Sequence, residues 1–347
     1  MLDLSNLFNY DIAIDPGSYE VKAFEYSTGN IISTPTFLGY SHINKTPIAF
    51  GEEAKSMIGK IPKGMEVIKP VQFSEIVTNE YFEIFLKHIF EELNKKNQKF
   101  RLKTKPRVFV PLPIDFTQSS LTNFENSILK AGASEVIFLK KLVCSSYGVT
   151  KDTKESKDSK VKMVVDIGYQ KTEFGVVFKN EIYEGRVLNF GGEVLDRVIL
   201  SRLIEEKKVQ CSSNNIEKYK EECLGFLPFP TENEKFKIIG KDIKKGTPVT
   251  TEISFLDLRE FLVPTIRVEL VKQLKAFLNS LTDNIISDLY EEGIYLAGGT
   301  SLNPSLAAFL SKEVGIKFNF LKNADTIQVG GIKKLLQKNL IDITKIK

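Results

Sequence analysis

Apolar and polar residues alternate in short runs that end at turn-forming residues, and the same plan occurs in both halves of the chain. In NYDIAIDPGSYEVKAFEY an apolar strand leads into a tight Asp-x-Gly turn and a second alternating strand. The segment VKMVVDIGYQKTEFGVVF repeats this plan, and superposing Asp15 on Asp166 also superposes Gly17 on Gly168. The offset is 151 residues in a chain of 347, so the pattern predicts a duplicated lobe.

Helical and strand patterns alternate through the remainder of each half. The first half predicts a short polar region, a helix from about Glu80 to Leu93, the strand RVFVPLP, the helix TQSSLTNFENSILKAGA, the strand VIFLKK and a helix near 142–149. The second half predicts the helices GEVLDRVILSRLIEE and NIEKYKEECLG, the hairpin KFKIIGKDIKKGTPVTTEIS, a long helical region from about Leu256 to Glu292, and the strand-turn-helix GIYLAGGTSLNPSLAAFLSKEVG. Strands that alternate with helices predict α/β layers in both lobes, and the charged loop 150–160 is the expected boundary.

Composition excludes several classes of protein. Hydrophobic residues make up 42% of the chain and charged residues 27%, and no apolar run approaches the roughly 18 residues that a membrane span requires. The three cysteines form no C-x-x-C pair and the N-terminus has no basic signal region, so we expect a reducing cytoplasm. A net charge of +4 without an aromatic-interleaved basic stripe argues against nucleic acid. Two histidines are too few for a zinc cluster, and a Ser-His-acid triad is not expected.

The Asp-x-Gly turns have the chemistry of a phosphate site. Glycine lets the backbone approach a phosphate, successive N–H groups can form an anion nest, and the aspartate can hold water-coordinated magnesium. A third glycine-rich turn, AGGTSLN at 297–303, follows in the second half. Any one of these turns is also compatible with an ordinary hairpin, but three in this order favour a nucleotide site.

In their order, the three turns resemble the phosphate-one, phosphate-two and adenosine motifs of the actin, heat-shock ATPase and sugar kinase superfamily. The whole chain is similar to the MreB family of bacterial actins, through FGEEAKSMIGKIP, PRVFVPLP, KAGASEVIFL, NFGGEVLDRVI, GKDIKKGTPVTTEIS and GIYLAGGTSLNP. This resemblance implies an α/β, actin-like (ribonuclease H-like) duplicated two-lobe fold with a nucleotide cleft between the lobes. Lobe I would comprise 1–149 and 326–347, with a small subdomain at about 33–79. Lobe II would comprise 150–325, with a small subdomain at about 188–254.

The resemblance also implies the residues that bind ATP or ADP with Mg²⁺. The two carboxylates expected to hold magnesium through water are Asp15 and Asp166. The expected nucleotide-binding residues are Asp15, Gly17, Ser18, Tyr19, Lys22, Asp166, Gly168, Tyr169, Gln170, Gly191, Gly192, Glu217, Lys218, Tyr219, Lys220, Gly298, Gly299, Thr300, Ser301 and Leu302. For Lys22, a solvated strand residue is the alternative. The phosphate-two glycines of the family are interrupted here by Tyr169 and Gln170.

Two catalytic positions of the resembled family carry lysine in this chain. Lys141 stands at the position of the expected glutamate, and Lys171 stands at that of the expected threonine. A protonated ammonium cannot accept a proton from the attacking water, so we expect tight nucleotide binding with weak ATPase activity. In one alternative, a lysine stabilises the charge of the transition state; in another, both side chains point into solvent.

The resemblance implies a cytoplasmic cytoskeletal protein that polymerises into antiparallel double filaments and supports cell shape, or motility in a wall-less cell. The alternative is a small-molecule kinase of the same superfamily. Further partners are other actin-like proteins and an anionic membrane surface on the inner face of the membrane. The membrane would be contacted by the basic segment 95–107, KKNQKFRLKTKPR, and by the N-terminal LDLSNLF. A solubilising loop is the alternative for the basic segment.

Overall fold

The computed structural model describes residues 10–95, 105–149, 160–225, 235–342 and 344–346. Three features singled out in the sequence lie wholly or mostly outside these ranges: the N-terminal LDLSNLF, the basic segment and the charged boundary loop, which are residues 2–8, 95–107 and 150–160. Within the described ranges, no helix combines the length and the apolar character needed to cross a bilayer.

The strands and helices follow one another in an alternating order. The strands are β1 (Asp11–Pro16), β2 (Glu20–Glu25), β3 (Ile31–Pro35), β4 (Leu38–Ser41), β5 (Thr46–Phe50), β6 (Met65–Ile68), β7 (Val71–Gln72), β8 (Glu75–Ile76), β9 (Arg107–Leu112), β10 (Glu135–Lys140), β11 (Lys162–Ile167), β12 (Thr172–Phe178), β13 (Glu181–Leu188), β14 (Val209–Gln210), β15 (Lys235–Asp242), β16 (Pro248–Ser254), β17 (Ile294–Ala297) and β18 (Phe318–Asn319). The α-helices are α1 (Gly51–Ser56), α2 (Asn79–Lys95), α3 (Gln118–Ala131), α4 (Lys141–Val149), α5 (Gly192–Arg202), α6 (Ser213–Gly225), α7 (Phe255–Ile266), α8 (Lys272–Leu278), α9 (Asp283–Glu292), α10 (Pro304–Val314) and α11 (Ile327–Gln337).

The chain forms two compact units. Unit 1 contains Met1–Ser156, Asn180–Val187 and Thr326–Lys347, and unit 2 contains Lys157–Lys179 and Leu188–Asp325. The chain therefore enters unit 2 after residue 156, returns briefly to unit 1 at 180–187, and returns again for its last helix. The lobe and subdomain bounds given from the sequence stay a prediction.

Unit 1 is built on a five-stranded sheet in the order β10-β9-β1-β2-β3. Strand β1 is antiparallel to β2 and parallel to β9. Because successive side chains of a strand point to opposite faces, β1 supplies two cores. Ile12 and Ile14 pack in a cluster with Phe82 and other residues of α2, whereas Ala13 packs in a second cluster with Ile332 of α11. Helices therefore cover both faces of this sheet, which fixes the end of β1 and the turn that follows it.

Unit 2 repeats the arrangement of the central strands. Strand β11 is antiparallel to β12 and parallel to β17, which in turn is parallel to β18. The pairing register also repeats, because Asp15 lies opposite Lys22 in the first hairpin and Asp166 lies opposite Glu173 in the second. These pairs are related by the offset of 151 residues found in the sequence. The predicted α/β class and the predicted duplication are therefore confirmed.

One prediction about local structure is wrong, and a second is confirmed except for its continuity. The short polar region expected after the first hairpin contains strands β3 to β8 and helix α1, and β4, β5 and β6 form a separate three-stranded sheet. The helical region expected from Leu256 to Glu292 is interrupted. Pro264 lacks an N–H and lies just before a π-helical segment at Arg267–Val271, and the helical run ends at Leu278 before α9 begins.

Candidate nucleotide-binding site

The first phosphate turn of unit 1 joins β1 to β2. Asp15 pairs with Lys22 across the hairpin, and the N–H of Gly17 donates to the carbonyl oxygen of Asp15 at 3.0 Å. A Cβ atom on Gly17 would lie 2.5 Å from the carbonyl oxygen of Glu20. Because this distance is far below a van der Waals contact, the tight turn requires glycine. Ser18 and the residue after it complete the turn.

A buried threonine braces the first phosphate turn from outside the hairpin. The Thr36 hydroxyl donates to the carbonyl oxygen of Gly17 at 2.7 Å. The backbone N–H of Thr36 donates to the carbonyl oxygen of Tyr19 at 2.8 Å. Thr36 is completely buried. Buried carbonyl groups need partners, so these bonds hold the carbonyl oxygens of the turn in fixed directions.

Two buried lysines lie at the first phosphate turn. Lys55 of α1 donates from Nζ to the hydroxyl of Tyr19, and its Nζ lies 4.8 Å from the centroid of the same ring. Lys22 is 7% exposed, and its Nζ lies 3.0 Å from a carboxylate oxygen of Glu20. The alternative that Lys22 is a solvated strand residue is therefore wrong. Two ammonium groups therefore lie beside the turn, where each can attract a phosphate oxygen.

The second phosphate turn, in unit 2, is a two-residue hairpin loop. The N–H of Gly168 donates to the carbonyl oxygen of Lys171 at 2.9 Å, which leaves Tyr169 and Gln170 as the loop residues. Gln170 is buried, and its Nε2 lies 3.3 Å from each carboxylate oxygen of Glu193. The tyrosine and the glutamine that interrupt the glycines of the family therefore form an ordered turn.

The first turn of helix α5 holds the second phosphate turn. The N–H of Gly192 donates to the carbonyl oxygen of Gly168 at 3.1 Å. The N–H of Glu193 donates to the carbonyl oxygen of Tyr169 at 2.8 Å. A Cβ atom on Gly191 would lie 2.5 Å from both of these carbonyl oxygens. The Gly-Gly-Glu sequence thus allows a helix N-terminus to approach the turn closely and to satisfy its orphan N–H groups there.

Four segments that the sequence assigned to nucleotide binding converge beside Gly192. A Cβ atom on this residue would lie 3.2 Å from Lys220 Nζ of α6, 3.2 Å from Thr300 Oγ1 and 3.3 Å from Tyr169 Cδ2. The Thr300 hydroxyl also donates to the carbonyl oxygen of Gly168 at 2.9 Å. Segments far apart in sequence therefore meet within a few ångströms in unit 2.

The buried Asp166 lies against the start of the third glycine-rich turn. Gly298 has a φ of 87°, and a Cβ atom there would lie 2.4 Å from Asp166 Oδ1 and 2.4 Å from the carbonyl oxygen of Ile167. Both the left-handed backbone and the close approach require glycine at this position. The end of β11 and the turn after β17 are thereby placed side by side.

The third glycine-rich turn continues as a 3₁₀ turn at Gly299–Leu302. The space next to Gly299 is open, since no atom lies within 4 Å of an added Cβ. Ser301 is buried and its hydroxyl donates to the carbonyl oxygen of Ala297 at 2.7 Å, whereas Leu302 is 43% exposed. Ser301 therefore supports the turn, and Gly299 and Leu302 form its accessible surface.

Helix α6 presents Lys220 to the site as half of an ion pair. Lys220 Nζ lies 2.9 Å from Asp196 Oδ1 and 3.1 Å from Oδ2, and both side chains are largely buried. Burial raises the pKa of Asp196, and the negative charge of the nearby Glu217 also raises it. Lys220 and a hydrogen bond from Tyr169 lower this pKa, but their effect is smaller. Glu217 therefore lies close to the same cluster.

The other two expected residues of α6 contact different parts of unit 2. The Tyr219 hydroxyl lies 3.3 Å from the carbonyl oxygen of Lys237 and accepts from the N–H of Ile239 at 3.2 Å. The Lys218 side chain is 71% exposed, with Nζ 3.8 Å from Glu222. Tyr219 thus fastens α6 to β15, and Lys218 faces solvent.

The two lysines at the expected catalytic positions are both half-buried. Lys141 begins α4 in unit 1, and Lys171 ends the second phosphate turn in unit 2. Thr172 does not replace the missing threonine, because it is buried and its hydroxyl donates to the carbonyl oxygen of Phe190 at 2.8 Å. Among the residues that the structure describes, no group of three or more His, Cys, Asp or Glu side chains could hold a metal ion.

The sequence reasoning missed four residues that hold the turns. Thr36, between β3 and β4, and Lys55 of α1 contact the first turn, and no local pattern connects either residue to it. Glu193 and Asp196 contact the second turn, and their spacing gave a usable signal. Side chains three residues apart lie on the same face of a helix, so two carboxylates directly after Gly-Gly predict an acidic face beside the turn.

Comparison with known proteins places the chain in a family. A family model described as MreB/Mbl protein matches residues 9–343. The cell shape-determining protein Mbl of Bacillus subtilis (strain 168) is 25% identical over 325 residues, which cover 93% of this chain and 95% of that protein. The cell shape-determining protein MreB of Escherichia coli (strain K12) is 24% identical over 314 residues, 89% of this chain and 88% of that protein.

Solved structures with the same fold cover nearly the whole chain. The crystal structure of MreB5 of Spiroplasma citri bound to ADP has a TM-score of 0.86 at 20% identity, and the match covers 96% of this chain and 98% of that one. The MamK double helical filament has a TM-score of 0.74 at 16% identity, covering 95% and 99%. The predicted actin-like fold and the predicted family are both confirmed: the chain belongs to the MreB/Mbl family.

Proposed function

We propose that the chain is the ATP-binding protomer of an actin-like cytoskeletal filament that supports cell shape. Membership of the MreB/Mbl family supports this role, since curated relatives are named cell shape-determining proteins and a structural relative, MamK, is solved as a double helical filament. The observation that carries the proposal is the meeting of Tyr169, Gly192, Lys220 and Thr300 in unit 2. A small-molecule kinase is not favoured, because the family model that matches residues 9–343 is that of the MreB/Mbl protein.

Each part of the nucleotide has a chemically suitable partner. The backbone N–H groups of the two phosphate turns bind phosphate oxygens, and the basic residues beside them add attraction. Lys220 and the turn Gly299–Leu302 bind the nucleoside. MreB5 of Spiroplasma citri, which shares the fold, is solved with AMPPNP and with ADP.

Asp15 and Asp166 fit the magnesium ion that accompanies such a nucleotide. Mg²⁺ retains several waters and takes one or two carboxylates together with phosphate oxygens, so it does not need a cluster of protein ligands. Asp166 is 3% exposed and lies at the end of β11, directly before the second phosphate turn. The ion would neutralise the charge that gathers on the phosphates.

ATP hydrolysis by this chain is weak. In-line attack on the γ-phosphate needs a group that orients water and accepts its proton, and losing such a base typically slows the reaction about 10²- to 10⁴-fold. Lys141 and Lys171 occupy the positions of the expected groups, and the neighbouring Thr172 hydroxyl is engaged in the interior of unit 2. The nucleotide is therefore bound for long periods before it is cleaved.

One variant, Gly191→Ala, tests both the nucleotide site and the dependence of filament formation on it. Gly191→Ala places a methyl group 2.5 Å from two carbonyl oxygens of the second phosphate turn, so we expect loss of ATP binding by calorimetry and loss of filaments in electron micrographs. Gly330→Ala is the matched control, because nothing lies within 4 Å of the added atom. ATP binding and filaments retained by Gly191→Ala would refute the assigned site, and an unmodified chain that forms no filaments with ATP would refute the cytoskeletal role.

The low ATPase activity is tested by restoring the family residues. The double variant Lys141→Glu, Lys171→Thr should release phosphate from ATP at least about tenfold faster than the unmodified chain, because a proton acceptor and a water-positioning hydroxyl return. Phosphate release measured during polymerisation gives the comparison. A rate equal to that of the unmodified chain would contradict the assignment of these two lysines.

The filament is an antiparallel double strand that can include other actin-like proteins and attaches to the cytoplasmic face of the membrane. The sequence of the segment 95–107 supports attachment, because it carries seven Lys and Arg with Phe100 and Leu102 between them, and each basic residue near an anionic leaflet contributes about 1 kcal/mol. Co-sedimentation with anionic liposomes should fall for Phe100→Ser, Leu102→Ser. Equal sedimentation with neutral liposomes would oppose the membrane role.

A further inference from the structure

Tyr169, Asp196 and Lys220 form a compact cluster in unit 2. The Lys220 ammonium is 2.9 Å and 3.1 Å from the two carboxylate oxygens of Asp196 and 5.6 Å from the centroid of the Tyr169 ring. The Tyr169 hydroxyl is hydrogen-bonded to the Asp196 carboxylate. Lys220 is 8% exposed, so its direction is determined by these two neighbours rather than by water. The three side chains come from three elements: the second phosphate turn, α5 and α6.

The tyrosine is a departure of this chain from the family that it resembles. The resemblance implies a glycine at this place in the phosphate-two motif, and glycine offers neither a hydroxyl for Asp196 nor a ring for Lys220. The ring is also held against the backbone, because a Cβ atom on Gly192 would lie 3.3 Å from Tyr169 Cδ2. A carboxylate that is largely buried favours a second donor beside its cation, and Tyr169 supplies one.

We propose that Tyr169 is a positioning residue for the nucleoside half of the nucleotide. Its hydroxyl holds Asp196, Asp196 and the tyrosine ring hold Lys220, and Lys220 is thereby fixed where it meets the ribose and base of a purine nucleoside diphosphate or triphosphate. The phosphate turn and the nucleoside helix α6 are coupled through these three side chains. This inference rests on the nucleotide site of the proposed function.

This coupling predicts that a change at Tyr169 affects the binding of a nucleotide and of pyrophosphate differently. If Tyr169 acts through Lys220, Tyr169→Phe should weaken the binding of ADP and leave the binding of inorganic pyrophosphate unchanged. A hydrogen bond to a charged group is worth about tenfold in an equilibrium constant, so we expect about a tenfold rise in the dissociation constant for ADP. A purely structural effect of the turn would change both ligands together.

The experiment is calorimetry with ADP and with pyrophosphate on the full chain and on variants. The variants are Tyr169→Phe, Lys220→Met and the double variant, and Tyr183→Phe is the control because Tyr183 is 58% exposed in β13. We expect Tyr169→Phe to have little further effect on ADP binding once Lys220 is replaced. Melting temperatures measured beside the titrations establish that each variant is folded, and Asp196→Asn replaces Tyr169→Phe if that variant unfolds.

The outcomes are distinct. Unchanged ADP binding by Tyr169→Phe, an equal loss for ADP and pyrophosphate, or additive effects of Tyr169→Phe and Lys220→Met would each overturn the inference. If the unmodified chain binds neither ligand, the proposed nucleotide site itself fails. If the unmodified chain binds ADP and the variants do not differ, only the role of Tyr169 fails.

Discussion

The two phosphate turns share one hairpin plan, but different parts of the protein hold them. Both follow a central strand, and the aspartate of each lies at the same register of its hairpin, Asp15 opposite Lys22 and Asp166 opposite Glu173. A threonine hydroxyl outside each hairpin donates to the carbonyl oxygen of the turn glycine, at 2.7 Å in unit 1 and 2.9 Å in unit 2. Duplication therefore preserved the hairpin, whereas the two threonines arose at different positions, because the offset of 151 residues relates Thr36 to Val187 and not to Thr300.

The remaining supports differ between the turns. The first turn closes on itself so tightly that a Cβ on Gly17 would lie 2.5 Å from a backbone oxygen, whereas the corresponding distance for Gly168 is 3.0 Å. The second turn relies on the N-terminus of α5 and on the cluster of Asp196 and Lys220. Apart from its threonine, the first turn is thus fixed mainly by its own backbone, whereas the second is fixed by the elements that would bind the nucleoside. Nucleotide binding should therefore depend on side chains mainly at the second turn.

The largest expected effect comes from breaking the ion pair beside the second turn. Lys220→Met leaves Asp196 buried without its cation, and breaking such a pair costs about 3 kcal/mol in the free energy of unfolding. Burial already raises the pKa of Asp196 above its usual 3.8, and losing Lys220 raises it further. A carboxyl group with a raised pKa in the folded state favours folding while it is protonated, and stability falls as pH rises through that pKa.

The loss in the free energy of unfolding caused by Lys220→Met should therefore be larger at neutral pH than at about pH 5. Urea unfolding of the variant and the unmodified chain at both pH values measures it. Lys218→Met is the control, since its side chain is 71% exposed and its replacement should change stability little. An equal loss at both pH values would argue that Asp196 is not the group left uncompensated.

The next largest effect is the loss of stability when alanine replaces each of the two turn glycines, Gly17 and Gly168. Gly17→Ala forces an atom against the backbone oxygen of Glu20 and should cost about 2 kcal/mol, the usual range for overpacking. Gly168→Ala meets only the Lys171 oxygen at 3.0 Å, so we expect a loss under about 1 kcal/mol. Chemical denaturation of both variants gives the two values. A larger loss for Gly168→Ala would reverse the proposed difference between the turns.

The smallest effect concerns the two threonine braces. Thr36→Val and Thr300→Val each remove a hydroxyl and preserve the shape of the side chain. Thr36 is completely buried and Thr300 is partly exposed, so water can replace the lost donor only in the second turn. We expect losses in the free energy of unfolding of about 1 kcal/mol for Thr36→Val and about 0.5 kcal/mol for Thr300→Val. Thermal unfolding compares them, and equal losses would indicate that burial of the brace is unimportant.

The sequence alone predicted the parts of this arrangement that depend on local geometry. The offset between Asp15 and Asp166 located both turns, and Gly298 was recognised as part of the third turn, where only glycine fits. Strands β3 to β8 were missed because their apolar and polar residues do not alternate cleanly: β4 is buried throughout, whereas β5 is mostly exposed or half-buried. Such a small sheet forms through contacts between distant segments.

Contacts made through tertiary structure were beyond local patterns. Nothing near Thr36 or Lys55 in the sequence connects them to the first turn, since both reach it only when the sheet of unit 1 and helix α1 have formed. Tyr169 was read from the sequence as a disturbance of the glycine loop. The structure gives it partners in Asp196 and Lys220, and the pairing with Lys220 depends on the packing of α6, which local spacing does not predict.

The central claim, that each of the matching turns contributes to phosphate binding, is tested most directly by amide hydrogen exchange with and without ADP. The account predicts slower exchange at 17–19, at 168–171 and at 299–302, with little change in β15 and β16. Protection confined to other segments, or absent from both turns while ADP is bound, would contradict it.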